Sequence, residues 1–199
     1  MKDNFIAYTY PQAWEILNQA SHKKNTKSSP TLYVFAGPNA SGKSTLIANL
    51  YAQNKLDCMY VNADIFAKTI FKGEQDQTIQ NTKSMHYTMS LAELLIKNKH
   101  SFVYETVMSH PSKIDIIKQA KQNGFKIVSC FVSTNCPEIN LRRLSARASQ
   151  GGHDVPYDKM IKRYYRSRGL AKDLKCVSDE FAIFDNSQDL SQNVNLQKD

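Results

Sequence analysis

Nine consecutive residues, Gly37-Pro38-Asn39-Ala40-Ser41-Gly42-Lys43-Ser44-Thr45, set two glycines, a lysine and hydroxyl side chains in the spacing G-x-x-x-x-G-K-S. Each type meets a need of polyphosphate chemistry. Glycines let successive backbone N–H groups curl around phosphate oxygens, Lys43 reaches the β- and γ-phosphates, and the Ser44 hydroxyl can ligate Mg²⁺. The preceding run Leu32-Tyr33-Val34-Phe35-Ala36 reads as a strand, and the residues from Ser44 to about Gln53 read as a helix. That strand-then-helix setting separates a phosphate loop from an ordinary glycine turn. ATP or GTP with Mg²⁺ is the expected ligand, and all nine residues are expected to bind it.

Phosphoryl transfer also needs carboxylates facing the loop, and in doubly wound sheets ligands sit beyond the carboxyl ends of the strands. The apolar run Cys58 to Val61 delivers Asn62-Ala63-Asp64, and the run Phe102-Val103-Tyr104 delivers Glu105 and Thr106 into the same crevice. Asp64 has two readings. It is either a cap or first-turn charge of the helix it opens, or a general base that takes the proton of an acceptor hydroxyl. Glu105 suits a water on Mg²⁺ or an acceptor hydroxyl, against the plainer alternative of an ion pair with a lysine or arginine.

Between residues 142 and 168 stand Arg142, Arg143, Arg147, Arg163, Arg166 and Arg168, interrupted by Gly151-Gly152-His153. Glycines between two helical segments predict a small helical lid over about residues 145–170. Its closure would bring an arginine onto the equatorial oxygens of the transferred group while excluding water. Any single arginine here is more readily a solvated helix face, and it is the cluster as a whole that points to function. His153 is a further candidate because of its place in the lid, beside an ordinary structural role at a turn.

The elements that must position these groups alternate. After the first strand, helix and second strand come a helix opened at Asn62-Ala63-Asp64 and a long helix over 78–99. The third strand, a helix over about 112–122 and a continuously apolar strand from Phe125 to Val132 follow. Pro137 starts a helix carrying Leu141 and Leu144, another helix spans about Tyr157 to Leu170, and the last strand is Phe181-Ala182-Ile183-Phe184. This order predicts an α/β fold: a P-loop kinase-like parallel sheet flanked by helices on both faces. The expected organisation is an N-terminal helix and linker over 1–30, a kinase domain over 31–190 and a loosely ordered tail over 191–199. Trp14, Ile16, Leu17 and Ala20 form the apolar side of the N-terminal helix.

With 199 residues and 41% hydrophobic content, the chain can bury one good core. No apolar run is long enough to span a bilayer and the first thirty residues lack a secretory h-region, so a soluble cytoplasmic protein with no membrane partner is expected. Cys58, Cys130, Cys136 and Cys176 show no C-x-x-C spacing, which predicts reduced, mostly packed thiols and argues against zinc. A net charge of +8 suits a polyphosphate ligand, a nucleotide sugar or nucleic acid.

Taken together, these segments resemble the zeta toxin family of P-loop kinases over roughly Leu32 to Asn186. The matching stretches are Ala36 to Thr45, Asn62-Ala63-Asp64, Tyr104-Glu105-Thr106, Gln150 to Pro156, Arg163-Tyr164-Tyr165-Arg166 and Phe184-Asp185-Asn186-Ser187. The resemblance implies ATP-dependent phosphorylation of a sugar hydroxyl on a nucleotide sugar such as UDP-N-acetylglucosamine. It assigns ATP and magnesium to Lys43 and Ser44, the catalytic base to Asp64 and an acceptor contact to Glu105. Arg143 falls where a family arginine contacts phosphate. A second family arginine, in the lid, falls near His153, so His153 or another cation such as Arg163 takes that role. Family toxins are commonly neutralised by an antitoxin, which makes an antitoxin protein a further expected partner.

Two other activities fit parts of the pattern. A polynucleotide, RNA-end or nucleoside kinase would use the basic helix 157–172 to track a phosphate backbone, with Tyr157, Tyr164 and Tyr165 able to stack bases, although their helical spacing predicts core packing. A nucleotide-driven switch or ATPase without a phosphorylated acceptor is disfavoured, because neither an L-S-G-G-Q signature nor an apolar strand ending in Asp-Glu is present.

Overall fold

The computed structural model describes residues 29–148 and 157–188. Period-two alternation along the apolar runs builds a sheet with two buried faces. In β1 (Thr31–Ala36), Leu32, Val34 and Ala36 enter one cluster, while Phe35 enters the other with Tyr33 packed against it. β4 (Lys126–Ser133) divides the same way, with Ile127 and Phe131 on the first face and Val128, Cys130 and Val132 on the second. β2 (Met59–Val61), β3 (Phe102–Thr106) and β5 (Glu180–Asp185) complete a five-stranded, wholly parallel sheet in the order β2-β3-β1-β4-β5.

Helices cover both faces, as the alternating order of elements requires. α1 (Lys43–Ala52) buries Leu46, Ile47 and Leu50 in the second cluster. Against the first face lie α3 (Gln77–Lys97) through Ala92, Leu95 and Ile96, and α4 (Ser112–Gln122) through Ile114, Ile116, Ile117 and Ala120. α7 (Ala171–Val177) adds Ala171 and Leu174 to the same cluster. The short α2 (Ala63–Thr69), α5 (Pro137–Ala148) and α6 (Tyr157–Gly169) border the carboxyl end of the sheet.

Register decides what meets there. Ala36 of β1 is opposite Thr106 of β3 on one side and Phe131 of β4 on the other. The chain therefore leaves β1 between the ends of β3 and β4, where strand order reverses and a crevice opens.

Several expectations need correction. Glu105 and Thr106 are the last two residues of β3 rather than residues beyond it. Only Tyr164 of the three α6 tyrosines packs inward; Tyr157 and Tyr165 are 59% and 61% exposed. The helix expected over 157–170 stops at Gly169, and a separate α7 follows. Cys130 is buried, but Cys176 is exposed, and Cys58 and Cys136 are half-buried. The N-terminal helix expected to carry Trp14, Ile16, Leu17 and Ala20, the Gly151-Gly152-His153 turn and the tail over 191–199 lie outside the described residues.

Candidate active site

The phosphate loop begins where β1 ends, and its first glycine is fixed by space. Gly37 has φ 146°, and a Cβ there would sit 1.9 Å from the carbonyl oxygen of Val132. Gly42 has φ 101° and is the N-cap of α1, with no side-chain cap and no acidic residue in the first turn. The amino end of α1 is thus left to an external anion. Lys43 is buried, and its Nζ donates to the carbonyls of Gly37 at 2.9 Å and Pro38 at 2.7 Å. Burial pulls its ammonium down to about 8, the negative charges of Glu105 and Asp64 oppose that fall, and Arg147 adds to it.

Ser44 does not stand alone. Its hydroxyl contacts both oxygens of Glu105, at 2.9 and 3.1 Å. Glu105 Oε2 also receives Asn62 Nδ2 at 2.6 Å and the Tyr60 hydroxyl. Asn62 Nδ2 lies 3.0 Å from the same tyrosine oxygen. Burial first, and then the Glu105 charge, hold the Tyr60 hydroxyl well above its ordinary range, so it stays a proton donor. Glu105 is therefore tied to the hydroxyl that follows Lys43 and makes no ion pair with lysine or arginine among the described residues. An all-oxygen set of this kind suits Mg²⁺. No group of three acidic, histidine or cysteine side chains that could hold a metal occurs among the described residues, so a metal here would take its remaining ligands from phosphates and water.

Asp64 is exposed in the first turn of α2. The cap is Asn62, whose Oδ1 accepts from the backbone N–H of Asp64 at 2.7 Å and of Ile65 at 3.4 Å. Asp64 is thus relieved of capping, and its charge is felt at Lys43. Thr106 is buried, with its Oγ1 accepting from the Met108 N–H at 3.1 Å and its carbonyl accepting from the Gly37 N–H at 3.3 Å. Its place is in the wall supporting the loop, and its hydroxyl is already engaged.

The arginines separate. α5 sets Asn140, Arg143 and Arg147 at i, i+3 and i+7, on one helix face. Asn140 reaches the loop carbonyl of Asn39, Arg143 has a buried Nη1 with no hydrogen-bond partner among the described residues, and Arg147 is near enough to lower the Lys43 pKa. Arg163 is exposed on α6, with no hydrogen bond or ion pair to the loop. Arg168 is spent on structure: its Nη1 donates to the Thr134 carbonyl and to the Tyr164 hydroxyl. The stretch expected as a lid comprises the end of α5, residues outside the description that include His153, and α6, which is anchored through buried Met160, Tyr164 and Ser167.

Residue spacing did not single out Tyr60 or Asn140, included Asn186 only within the stretch Phe184 to Ser187, and placed Arg147 in the arginine cluster without a role of its own. Arg147 carried a weak signal, four residues after Arg143 on the same helix. Tyr60 reaches Glu105 only because β2 pairs with β3, and Asn186 reaches Ser41 across 145 residues.

A phosphate loop at the head of a central parallel strand, with converging carboxylates and cations on the neighbouring elements, defines a P-loop kinase. The Zeta toxin family model matches residues 16–193, and the chain belongs to that family. An uncharacterised protein of Haemophilus influenzae is 32% identical over 130 residues, which cover 65% of this chain and 89% of the relative. Among solved structures, the PezAT chromosomal toxin-antitoxin system of Streptococcus pneumoniae aligns with a TM-score of 0.63 at 14% identity, covering 93% of this chain and 81% of that one. AvrRxo1-ORF1:-ORF2 with ATP aligns at 0.59 and 23% identity, covering 83% of this chain and 56% of the other. At such identities these two structures are similar in fold.

Proposed function

We propose that this kinase transfers the γ-phosphoryl group of ATP to a hydroxyl of a nucleotide sugar such as UDP-N-acetylglucosamine, and that Asp64 is the base. The observation that carries the reading is the position of Asp64, freed from capping by Asn62 and within electrostatic reach of Lys43. A base in that place takes the acceptor proton as the oxygen attacks phosphorus, while Lys43 and the α5 arginines balance charge on the phosphates. Mg²⁺, when bound with ATP, would neutralise charge between the β- and γ-phosphates, and Ser44 and Glu105 are the residues suited to hold it. The acceptor class rests on family membership. A cognate antitoxin belongs to the same reading, supported by the toxin-antitoxin system among the structural neighbours.

The test is mass spectrometry of UDP-N-acetylglucosamine incubated with ATP, Mg²⁺ and either the native protein or Asp64→Asn. The expected result is one added phosphate with the native protein and a loss on the order of 10²–10⁴-fold in the variant, with nucleotide binding retained. Near-native transfer by Asp64→Asn would reduce Asp64 to a charge at the start of α2.

One observation favours a second reading, a kinase acting on nucleic-acid ends. Tyr157 and Tyr165 are exposed on α6 together with Lys159, Lys162, Arg163 and Arg166, a combination of aromatic faces and cations suited to single strands. RNA binding that weakens steeply with salt, together with phosphate transfer to RNA ends, would favour it over the sugar.

A further inference from the structure

A phosphate nest works only if its N–H groups converge, and converging N–H groups force the intervening carbonyls outward. Those carbonyls need donors of their own when the loop is enclosed by protein. Four carbonyls of the loop accept side-chain donors here, and the donors differ in kind. Gly37 and Pro38 share the ammonium of Lys43, whose third N–H is the donor left over for a phosphate. Asn39 O receives Asn140 Nδ2 at 2.6 Å, and Ser41 O receives Asn186 Nδ2 at 2.8 Å. Both amides are turned to these carbonyls, with no tie to the lysine.

Both asparagines are themselves held. Asn140 is fully buried, and its Oδ1 accepts from the hydroxyl of Thr134. The Thr134 carbonyl in turn accepts from the Tyr164 hydroxyl at 2.6 Å and from Arg168 Nη1 at 3.1 Å, both on α6. Asn186 follows β5 directly, and its backbone N–H donates to the Ser133 carbonyl at 2.8 Å. Its amide also fills the space beside Gly42, where a Cβ would lie 2.2 Å from Nδ2. One amide therefore approaches the loop from α5 and the other from the end of β5.

We propose that Asn140 and Asn186 are positioning residues that keep the phosphate loop in its nucleotide-receiving shape whether or not Lys43 is engaged with its carbonyls. This rests on the loop being the nucleotide site. Replacing either amide by the isosteric carboxylate would set an anion against a carbonyl oxygen and turn that carbonyl inward, spoiling the nest without touching Lys43 or Asp64.

The test is the Kd of Mg²⁺ and ADP by calorimetry for the native protein, Asn140→Asp, Asn186→Asp and Thr134→Val, with a thermal melt of each. The expected result is an ADP Kd raised about tenfold or more by each aspartate and less by Thr134→Val. Thr134→Val should add little on top of Asn140→Asp, because both act through Asn39, whereas Asn186→Asp should add its effect independently. In turnover, the KM for ATP should rise while the KM of the acceptor stays unchanged. If Asn140→Asp does not fold, Thr134→Val and Asn186→Ser carry the same comparison. Folded variants with lowered melting temperature and native ADP affinity would make the asparagines packing residues and overturn the proposal. A native protein that binds no ADP would sink the nucleotide-site reading and this proposal with it.

Discussion

Lys43 carries opposing demands on one nitrogen. Burial removes the water that would solvate its charge, and Arg147 adds repulsion, while Glu105 and Asp64 favour the charged form; the balance leaves it near pH 8. A bound polyphosphate would tip that balance strongly toward the ammonium. The sign of the pH dependence follows. Above about pH 8 the free protein has lost this proton, whereas the complex retains it, so binding takes up a proton and affinity falls as pH rises, by at most about tenfold per unit for a single proton. Below about pH 7 the lysine is charged in both states and contributes no slope. Calorimetry of ADP binding at pH 8.5 in two buffers of different ionisation enthalpy measures this uptake, and a value of zero would refute the coupling. Glu105 shows a different residue-scale logic: its carboxylate already serves Ser44, Tyr60 and Asn62, which leaves it better suited to hold the metal-side hydroxyl than to reach for an acceptor.

At the scale of elements, the join between β1 and α1 is where geometry leaves least freedom. Gly37→Ala would place a methyl group 1.9 Å from the Val132 carbonyl at a φ that L residues avoid. Backbone must move there, so ADP binding should be lost and the melting temperature lowered, as calorimetry and a thermal melt would show; native affinity would mean that β4 yields at no cost. This join was legible in the sequence because all its determinants are local: an apolar run, two glycines and the Lys43-Ser44 pair at the start of a helix. The helix start at Asn62-Ala63-Asp64 was legible for the same reason, although which residue caps it was settled only by Asn62 Oδ1 accepting from Asp64 and Ile65. Strand order was not legible, since no local pattern tells that β3 rather than β2 lies beside β1. Without it, Tyr60 could not be brought to Glu105. Nor could Tyr164 be told from Tyr165, because adjacent helical residues differ by 100° and only the packed partner decides which turns inward. The engaged hydroxyl of Thr106 likewise depends on the turn that follows β3.

For the whole molecule, the two apolar clusters lie on opposite faces of one sheet, and the site spans the end of that sheet rather than either core. α1 joins both: its Leu46, Ile47 and Leu50 are core, while its amino end is the candidate anion site. The net charge of +8 gives a field that favours the approach of polyanions in general, so it speaks to encounter and leaves acceptor choice to the site. Because ADP would bridge loop, helix and neighbouring strands only in the folded state, it should stabilise the entire domain by mass action. At ADP concentrations about 100 times Kd the gain is about 2.7 kcal/mol, roughly 5–11 °C in melting temperature for a chain of this size. Lys43→Ala should lose most of that shift, because the β-phosphate loses its buried cation. Asp64→Asn should keep the native shift, since a base acts on the acceptor and holds no phosphate. A melt of the three proteins with and without ADP and Mg²⁺ therefore separates binding from chemistry. Loss of the shift in both variants would mean that Asp64 holds the loop or its ligand, and the base would have to be sought elsewhere in the crevice.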